Sequence, residues 1–116
     1  MSETFPAVGH KYLVDFSGDK GEFRVQLDFH SATSLTYTGV NADGSLDPTN
    51  TETVVISVEP LRDQQFLVTW QEKEGDTVVH VEDYLNNTII TNITQPGPDL
   101  KHPKFMQFHG PMKQIS

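Results

Sequence analysis

The sequence has no cysteine among its 116 residues. This absence excludes disulfide bonds, thiolate metal sites and cysteine nucleophiles, and with them thiol redox chemistry. Cations are also scarce, with 8 Lys and Arg against 16 Asp and Glu and a formal net charge of -8. A chain without a basic stripe cannot release counterions from a phosphate backbone, so we expect no nucleic-acid partner.

Long apolar runs are missing as well. No stretch approaches the roughly 20 apolar residues of a membrane span, and the N-terminal segment has no basic head followed by an apolar run that would direct export. We therefore expect no membrane partner and a cytoplasmic location. The length predicts a single domain over residues 1–116, because it suffices for one modest core and is too short to split.

Helical periodicity is absent too. No segment of about a dozen residues repeats with a period near 3.6, whereas several alternate with a period of two. The alternation predicts strands at residues 11–16, 22–30, 34–40, 51–58, 66–72, 77–84, 88–93 and 105–115. An irregular segment is expected over residues 95–99, and Gly110-Pro111 predicts an edge, a bulge or a break in the last strand.

The strand pattern favours an all-β fold, an eight-stranded up-and-down lipocalin-like β-barrel. Most connections are short, which disfavours a sandwich with Greek-key links, and closure would remove the exposed sheet edges. A barrel of about eight strands encloses just enough space for side chains and one small ligand. The strand count therefore predicts a pocket.

The segment over residues 68–80 is the most informative part of the chain, since it forms two alternating strands joined by a turn at Gly75. Alternation places Trp70 and Glu72 on one face, where an apolar wall would end in a carboxylate. A carboxylate at the mouth of an apolar lumen loses hydration, which raises its pKa toward the range of a general acid. We predict that Glu72 transfers a proton or orients a ligand; the alternative is that it merely begins a charged turn.

His80 and Glu82 share one face of the next strand, and the sequence leaves open whether that face or the valine-bearing face points inward. The apolar bulk of Val78 and Tyr84 slightly favours the polar face. If it points inward, His80 and Glu82 lie one strand away from Trp70 and Glu72 and could form a coupled acid/base pair or hold a polar ligand. If it points outward, His80 is a surface residue without a special role.

Cofactor and metal signals are weak. The 5 histidines stand on separate predicted elements without the paired spacing of metal ligands, so we expect no metal site. The glycines of residues 17–21 precede a strand, not a helix, and thus do not form a phosphate-cradling loop. No nucleophile elbow is present. We expect no cofactor.

Two parts of the chain carry a family resemblance. One is Val68-Thr69-Trp70-Gln71-Glu72 with the strand after Gly75 and, past the next turn, Ile90-Thr91-Asn92-Ile93. The other is the C-terminal Phe108-His109-Gly110-Pro111-Met112-Lys113-Gln114-Ile115. Both resemble the MoaF-like proteins, which are small calycin-type barrels related to phenolic acid decarboxylases. The resemblance spans most of residues 9–116 and implies a lipocalin-like barrel.

The resemblance also bears on chemistry. In the decarboxylases a tyrosine pair, an arginine and a glutamate in the lumen handle a hydroxycinnamic acid. The likeness places Glu72 at the glutamate, but Val14 and Phe16 stand near the tyrosine positions and Thr49 near the arginine. Three of the four groups are thus absent, and nothing obvious would clamp a substrate carboxylate. The resemblance implies a lumenal Glu72 and argues against decarboxylation.

These patterns predict a barrel that binds a small, partly apolar molecule in its lumen. Trp70 and Tyr37 would provide surface for the ligand, and Glu72, His80 and Glu82 would provide polarity. One alternative is a lyase, isomerase or cyclase in which Glu72 is catalytic and transfers a proton on an aromatic or polyketide-like substrate. Another is a homodimer whose outer strand faces pair.

Overall fold

The computed structural model describes residues 4–97 and 103–116. Within those ranges the chain forms antiparallel strands and no helix, so the predicted all-β class is confirmed. The strands are β1 (Lys11–Gly18), β2 (Gly21–Ser31), β3 (Ser34–Val40), β4 (Leu46–Val55), β5 (Ser57–Arg62), β6 (Gln65–Gln71), β7 (Thr77–Asp83), β8 (Thr88–Gln95) and β9 (Lys104–Gln114). No helix long and apolar enough to cross a membrane occurs in the described part of the chain.

The strands form one sheet in the order β4-β3-β2-β1-β9-β8-β7-β6-β5. Every pair of neighbours is consecutive in the chain except β1 and β9, so the topology is an up-and-down meander whose first and last strands pair. The two edge strands, β4 and β5, are separated in sequence by Ile56 alone. Because one residue joins the two edges, the sheet has to curl until they approach each other. The predicted barrel-like architecture is thereby confirmed.

The strand count differs from the prediction at one place, residues 51–58. The first half of this stretch pairs with β3, where Val54 faces Leu35, and the second half pairs with β6, where Val58 faces Val68. Ile56, at the switch, is buried, and its amide donates to the carbonyl of Thr33 at 3.0 Å. Eight predicted strands become nine because this one changes partner midway.

The interior is filled by the alternating apolar residues of the strands. Val25, Leu27 and Phe29 of β2 are buried, as the period-two pattern predicts. One end of the curled sheet is plugged by the segment before β1, where the ring of Phe5 packs edge-on against Phe29 and Phe66 at centroid distances of 5.3 and 5.1 Å. The candidate site lies at the other end.

Gly110 and Pro111 lie in β9, which is a central strand of the sheet and not an edge. Its ladder with β1 is interrupted at these two residues, so the feature is a break in pairing. Proline has no amide to donate, and a Cβ on Gly110 would collide with the carbonyl of Asp15. Of the irregular segment predicted over residues 95–99, Gln95 is the last residue of β8, residues 96 and 97 have no regular structure, and residues 98–99 lie outside the described residues.

Candidate functional site

A cavity of about 250 Å³ lies inside the curled sheet, at the end opposite Phe5. Strands β1, β2, β3, β4, β6, β7 and β8 contribute to its walls. Four of the five predicted site residues line it, namely Tyr37, Trp70, Glu72 and His80. Glu82, the fifth, is 0% exposed and lies one layer deeper, directly behind His80.

Strand register sets the depth of each side chain in this cavity. His80 is opposite Val68 of β6 on one side and opposite Thr91 of β8 on the other. Trp70 is two positions nearer the end of β6, and Glu72 follows that strand. His80 and Thr91 therefore form the floor of the cavity, Trp70 stands above them, and Glu72 lies at the mouth.

Aromatic rings form the wall between floor and mouth. Tyr37 and Trp70 are stacked, with centroids 6.5 Å apart and an interplanar angle of 20°. Trp70 meets the His80 ring edge-on at 4.7 Å, and the Phe16 ring lies 6.0 Å from that of His80. Such rings bury a large apolar area in a fixed geometry, which suits a flat apolar molecule.

Glu72 at the mouth is half-buried and bonded to the aromatic wall. The indole Nε1 of Trp70 donates to its Oε2 at 3.0 Å. Burial raises the pKa of the Glu72 carboxyl, while the hydrogen bonds from Trp70 and Tyr37 partly oppose the rise. This direction agrees with the one expected from the sequence, and the proton-transfer role stays a prediction.

Tyr37 links Glu72 to a second carboxylate. Its hydroxyl donates to Oε1 of Glu52 at 3.2 Å, and the other oxygen of Glu52 accepts the amide of Lys73 at 3.0 Å. Burial and then the charges of Glu72 and Glu52 raise the pKa of the Tyr37 hydroxyl. Tyr37 therefore remains a neutral donor at the mouth.

His80, Glu82 and Tyr84 form a buried chain below the aromatic wall, so the polar face of β7 points inward. Nδ1 of His80 lies 2.8 Å from Oε2 of Glu82, and the Tyr84 hydroxyl donates to Oε1 at 2.6 Å. Both carboxylate oxygens are thus occupied. The His80 side chain is 3% exposed, and its second nitrogen, Nε2, has no hydrogen-bond partner among the residues described.

Thr91 is a floor residue that the sequence reasoning missed. It is 1% exposed, and its Oγ1 finds no hydrogen-bond partner in the described part of the chain. The signal available in the sequence was its place between Ile89 and Ile93 on one face of β8. A polar residue in an otherwise apolar inward row marks a buried polar group that needs a partner.

Metal ligands are not assembled in the described ranges, where no three His, Asp or Glu side chains are grouped to hold an ion. The other three histidines described lie on the outside: His10 is 3.0 Å from an oxygen of Ser116, His30 bonds Thr36 at 2.7 Å, and His109 is exposed. Of the four described histidines, His80 alone lines the cavity.

Comparisons with known proteins agree with this architecture. A family model described as MoaF-like matches residues 8–113. The chain is also similar to the crystal structure of a protein from Burkholderia vietnamiensis, described as a candidate beta-lactamase. That similarity has a TM-score of 0.76 at 18% identity and covers 98% of this chain and 100% of the other. At that identity the likeness concerns the fold alone, and no curated protein matches the chain.

Proposed function

This chain belongs to the MoaF-like family, and we propose that it binds a small, partly apolar molecule in the cavity between His80 and Glu72. The ligand would lie flat against the stacked rings of Tyr37 and Trp70, with one polar end at the floor and the other at the mouth. Pockets with apolar walls and a few convergent polar groups are the usual form of small-molecule sites.

The cavity size limits the ligand. An apolar cavity of about 150 Å³ holds benzene, and drug-sized ligands occupy about 300 Å³ or more. The value of about 250 Å³ here lies between the two. A substituted single ring fits this volume.

One observation carries the proposal: the floor of the cavity holds unpaired polar atoms. A buried hydroxyl without a partner costs about 1 to 3 kcal/mol, and a barrel whose interior served packing alone would replace Thr91 by an aliphatic residue. The Oγ1 of Thr91 and the Nε2 of His80 both lack partners in the described ranges and stand side by side under the aromatic wall. A bound molecule would satisfy them. The dimerising-module alternative calls for a filled lumen and is disfavoured by the cavity.

A binding experiment with a blocked cavity tests this proposal. Trp70 is the single tryptophan, so its fluorescence reports directly on the cavity wall. Single-ring aromatic fragments should change this fluorescence and bind in titration calorimetry. Ile93→Phe, which fills the cavity, should abolish binding, whereas Ile90→Phe, on the exposed face of the same strand, should bind as the wild type does. Equal binding by wild type and Ile93→Phe would refute the proposed site.

The second candidate function is proton transfer by an isomerase, lyase or cyclase. It is favoured by Glu72, whose half-buried carboxyl has a raised pKa and faces the same cavity as His80. A carboxyl whose pKa is raised by burial can give or take a proton on a substrate held against Trp70. Exchange of protons next to the carbonyl of a bound ketone, followed by NMR in heavy water, should be lost in Glu72→Gln and kept in Glu74→Gln. Unchanged exchange and affinity in Glu72→Gln would remove that residue from the mechanism.

A further inference from the structure

We infer that the floor of the cavity is a two-donor cradle for an uncharged carbonyl oxygen, formed by Nε2 of His80 and the hydroxyl of Thr91. The inference rests on the proposed function and specifies which end of the ligand enters first. It concerns ketones, aldehydes, amides or esters of single-ring size.

The buried pair behind the floor makes Nε2 a donor. His80 and Glu82 are 3% and 0% exposed, and a net charge at such depth is costly. The pair is net neutral either as imidazolium with carboxylate or as imidazole with carboxylic acid. In both states one proton lies between Nδ1 and Oε2, and the other ring nitrogen, Nε2, carries a hydrogen.

The surroundings of Glu82 support this proton count. Among the described residues, two further titratable groups interact with Glu82, namely Tyr84, which donates its hydroxyl to Oε1, and Tyr12 of β1. Burial and the nearby carboxylate raise the pKa of both tyrosines, so both remain neutral. Neither can balance the charge of Glu82, and His80 is the group placed to do so.

Thr91 supplies the second donor. It is directly opposite His80 in the β7–β8 ladder, on the same inward face. Side chains so paired have Cβ atoms about 5 Å apart, a spacing that lets two donors converge on one oxygen. The unpaired Oγ1 of Thr91 is free to turn its hydrogen toward that oxygen.

The charges around the cavity favour a neutral acceptor over a carboxylate. Arg24, the one lysine or arginine among the lining residues, bonds its guanidinium to the carbonyls of Asn41 and Ala42. Glu72 and Asp76 stand at the mouth, and the whole chain carries a formal charge of -8. An anion would pass two acids to reach a floor without net charge, whereas a carbonyl oxygen needs only the two hydrogen bonds.

Three single-ring probes separate the possibilities. Acetophenone has the carbonyl, ethylbenzene has the same shape without an acceptor, and benzoate has a charged acceptor. In titration calorimetry the wild type should bind acetophenone roughly tenfold more tightly than ethylbenzene, since hydrogen bonds to buried donors are worth about that much. Benzoate should bind no more tightly than ethylbenzene. The ¹³C-labelled carbonyl resonance of acetophenone should move downfield on binding.

Thr91→Val removes one donor and leaves the His80–Glu82 pair intact. It should weaken acetophenone binding by about three- to tenfold and leave ethylbenzene binding unchanged. Thr94→Val, on the exposed face of the same strand, is the matched control and should change neither. Independently, ¹⁵N NMR of labelled histidine should place His80 Nε2 in its protonated form at neutral pH.

The outcomes distinguish this inference from the proposed function. Equal affinity for acetophenone and ethylbenzene, with both altering Trp70 fluorescence, would overturn the carbonyl cradle and leave the binding site standing. Tightest binding of benzoate, or a His80 Nε2 without hydrogen, would overturn the cradle as well. Failure of every single-ring probe to bind would overturn both.

Discussion

Replacing Thr91 by valine should stabilise the unliganded protein. The substitution exchanges an unpaired, 1% exposed hydroxyl for a methyl group of similar size. Relief of the unpaired hydroxyl is worth about 1 to 2 kcal/mol, at the lower end of the range for orphaned buried groups. For a chain of 116 residues, about 1 kcal/mol corresponds to about 4 °C in Tm, so the melting temperature should rise by about 4 to 8 °C.

Thermal unfolding followed by circular dichroism, with urea unfolding followed by Trp70 fluorescence, measures the effect. Thr91→Ser, which keeps the hydroxyl and loses the methyl group, should lower the free energy of unfolding by about 1 kcal/mol. Thr94→Val, at an exposed position, should stay within about 0.5 kcal/mol of the wild type. A Thr91→Val protein less stable than the wild type would mean that the hydroxyl is satisfied in the free protein, and the argument for an unpaired floor would fail.

Three further predictions concern the mouth, a turn and a close backbone contact. Because burial raises the pKa of the Glu72 carboxyl, its protonated form is favoured in the folded state. The free energy of unfolding of the wild type should therefore fall relative to that of Glu72→Gln as the pH rises from 4.5 through the folded-state pKa. Parallel plots of the two unfolding free energies against pH, measured in urea, would contradict this. Asp83 accepts the amides of Leu85 and Asn86, and hydrogen bonds from the Asn86 side chain and backbone lower its pKa to about 2. Its stabilisation is present above the unfolded value of 3.8 and is lost as the pH falls to about 2. Asp83→Asn should therefore cost about 1 to 3 kcal/mol at neutral pH and almost nothing near pH 2, in unfolding measurements across that range. Gly110→Ala should lower the free energy of unfolding by about 1 to 3 kcal/mol or more, since its Cβ meets the carbonyl of Asp15; a denaturation midpoint equal to that of the wild type would contradict it.

The sequence predicts most of the fold because alternation is a local signal. Val25, Leu27 and Phe29 face inward wherever β2 lies in the sheet. The change of partner at Ile56 is a different kind of feature, because pairing depends on residues far away in the chain and β-branched residues continue through the switch. A sequence pattern alone therefore gives one strand where the sheet has two.

The candidate site likewise has a part that local alternation predicts and a part that it does not. The inward position of Trp70 follows from the alternation of β6. Strand β7 has apolar residues on both faces, so which face points inward depends on its pairing with β6. The buried Val68 is opposite His80, and this register turns His80 and Glu82 inward. Thr91 was missed because threonine is common in strands for reasons unrelated to function. The role of Thr91 can be recognised only when the inward-facing residues of β8 and the hydrogen bonds around Thr91 are known.

The two ends of the interior differ in a way that bears on function. At one end Phe5 packs against the rings of Phe66 and Tyr84, and this aromatic packing is stabilising. Between that end and the cavity, the His80–Glu82 pair and the Thr91 hydroxyl reduce stability compared with aliphatic residues of the same size. Proteins retain such groups where a ligand uses them. Thr91→Val should therefore raise the free energy of unfolding of the unliganded protein and weaken its binding of the ligand. If Thr91→Val proved both more stable and weaker in binding, the polar floor of the cavity would be a determinant of binding and not a defect of packing.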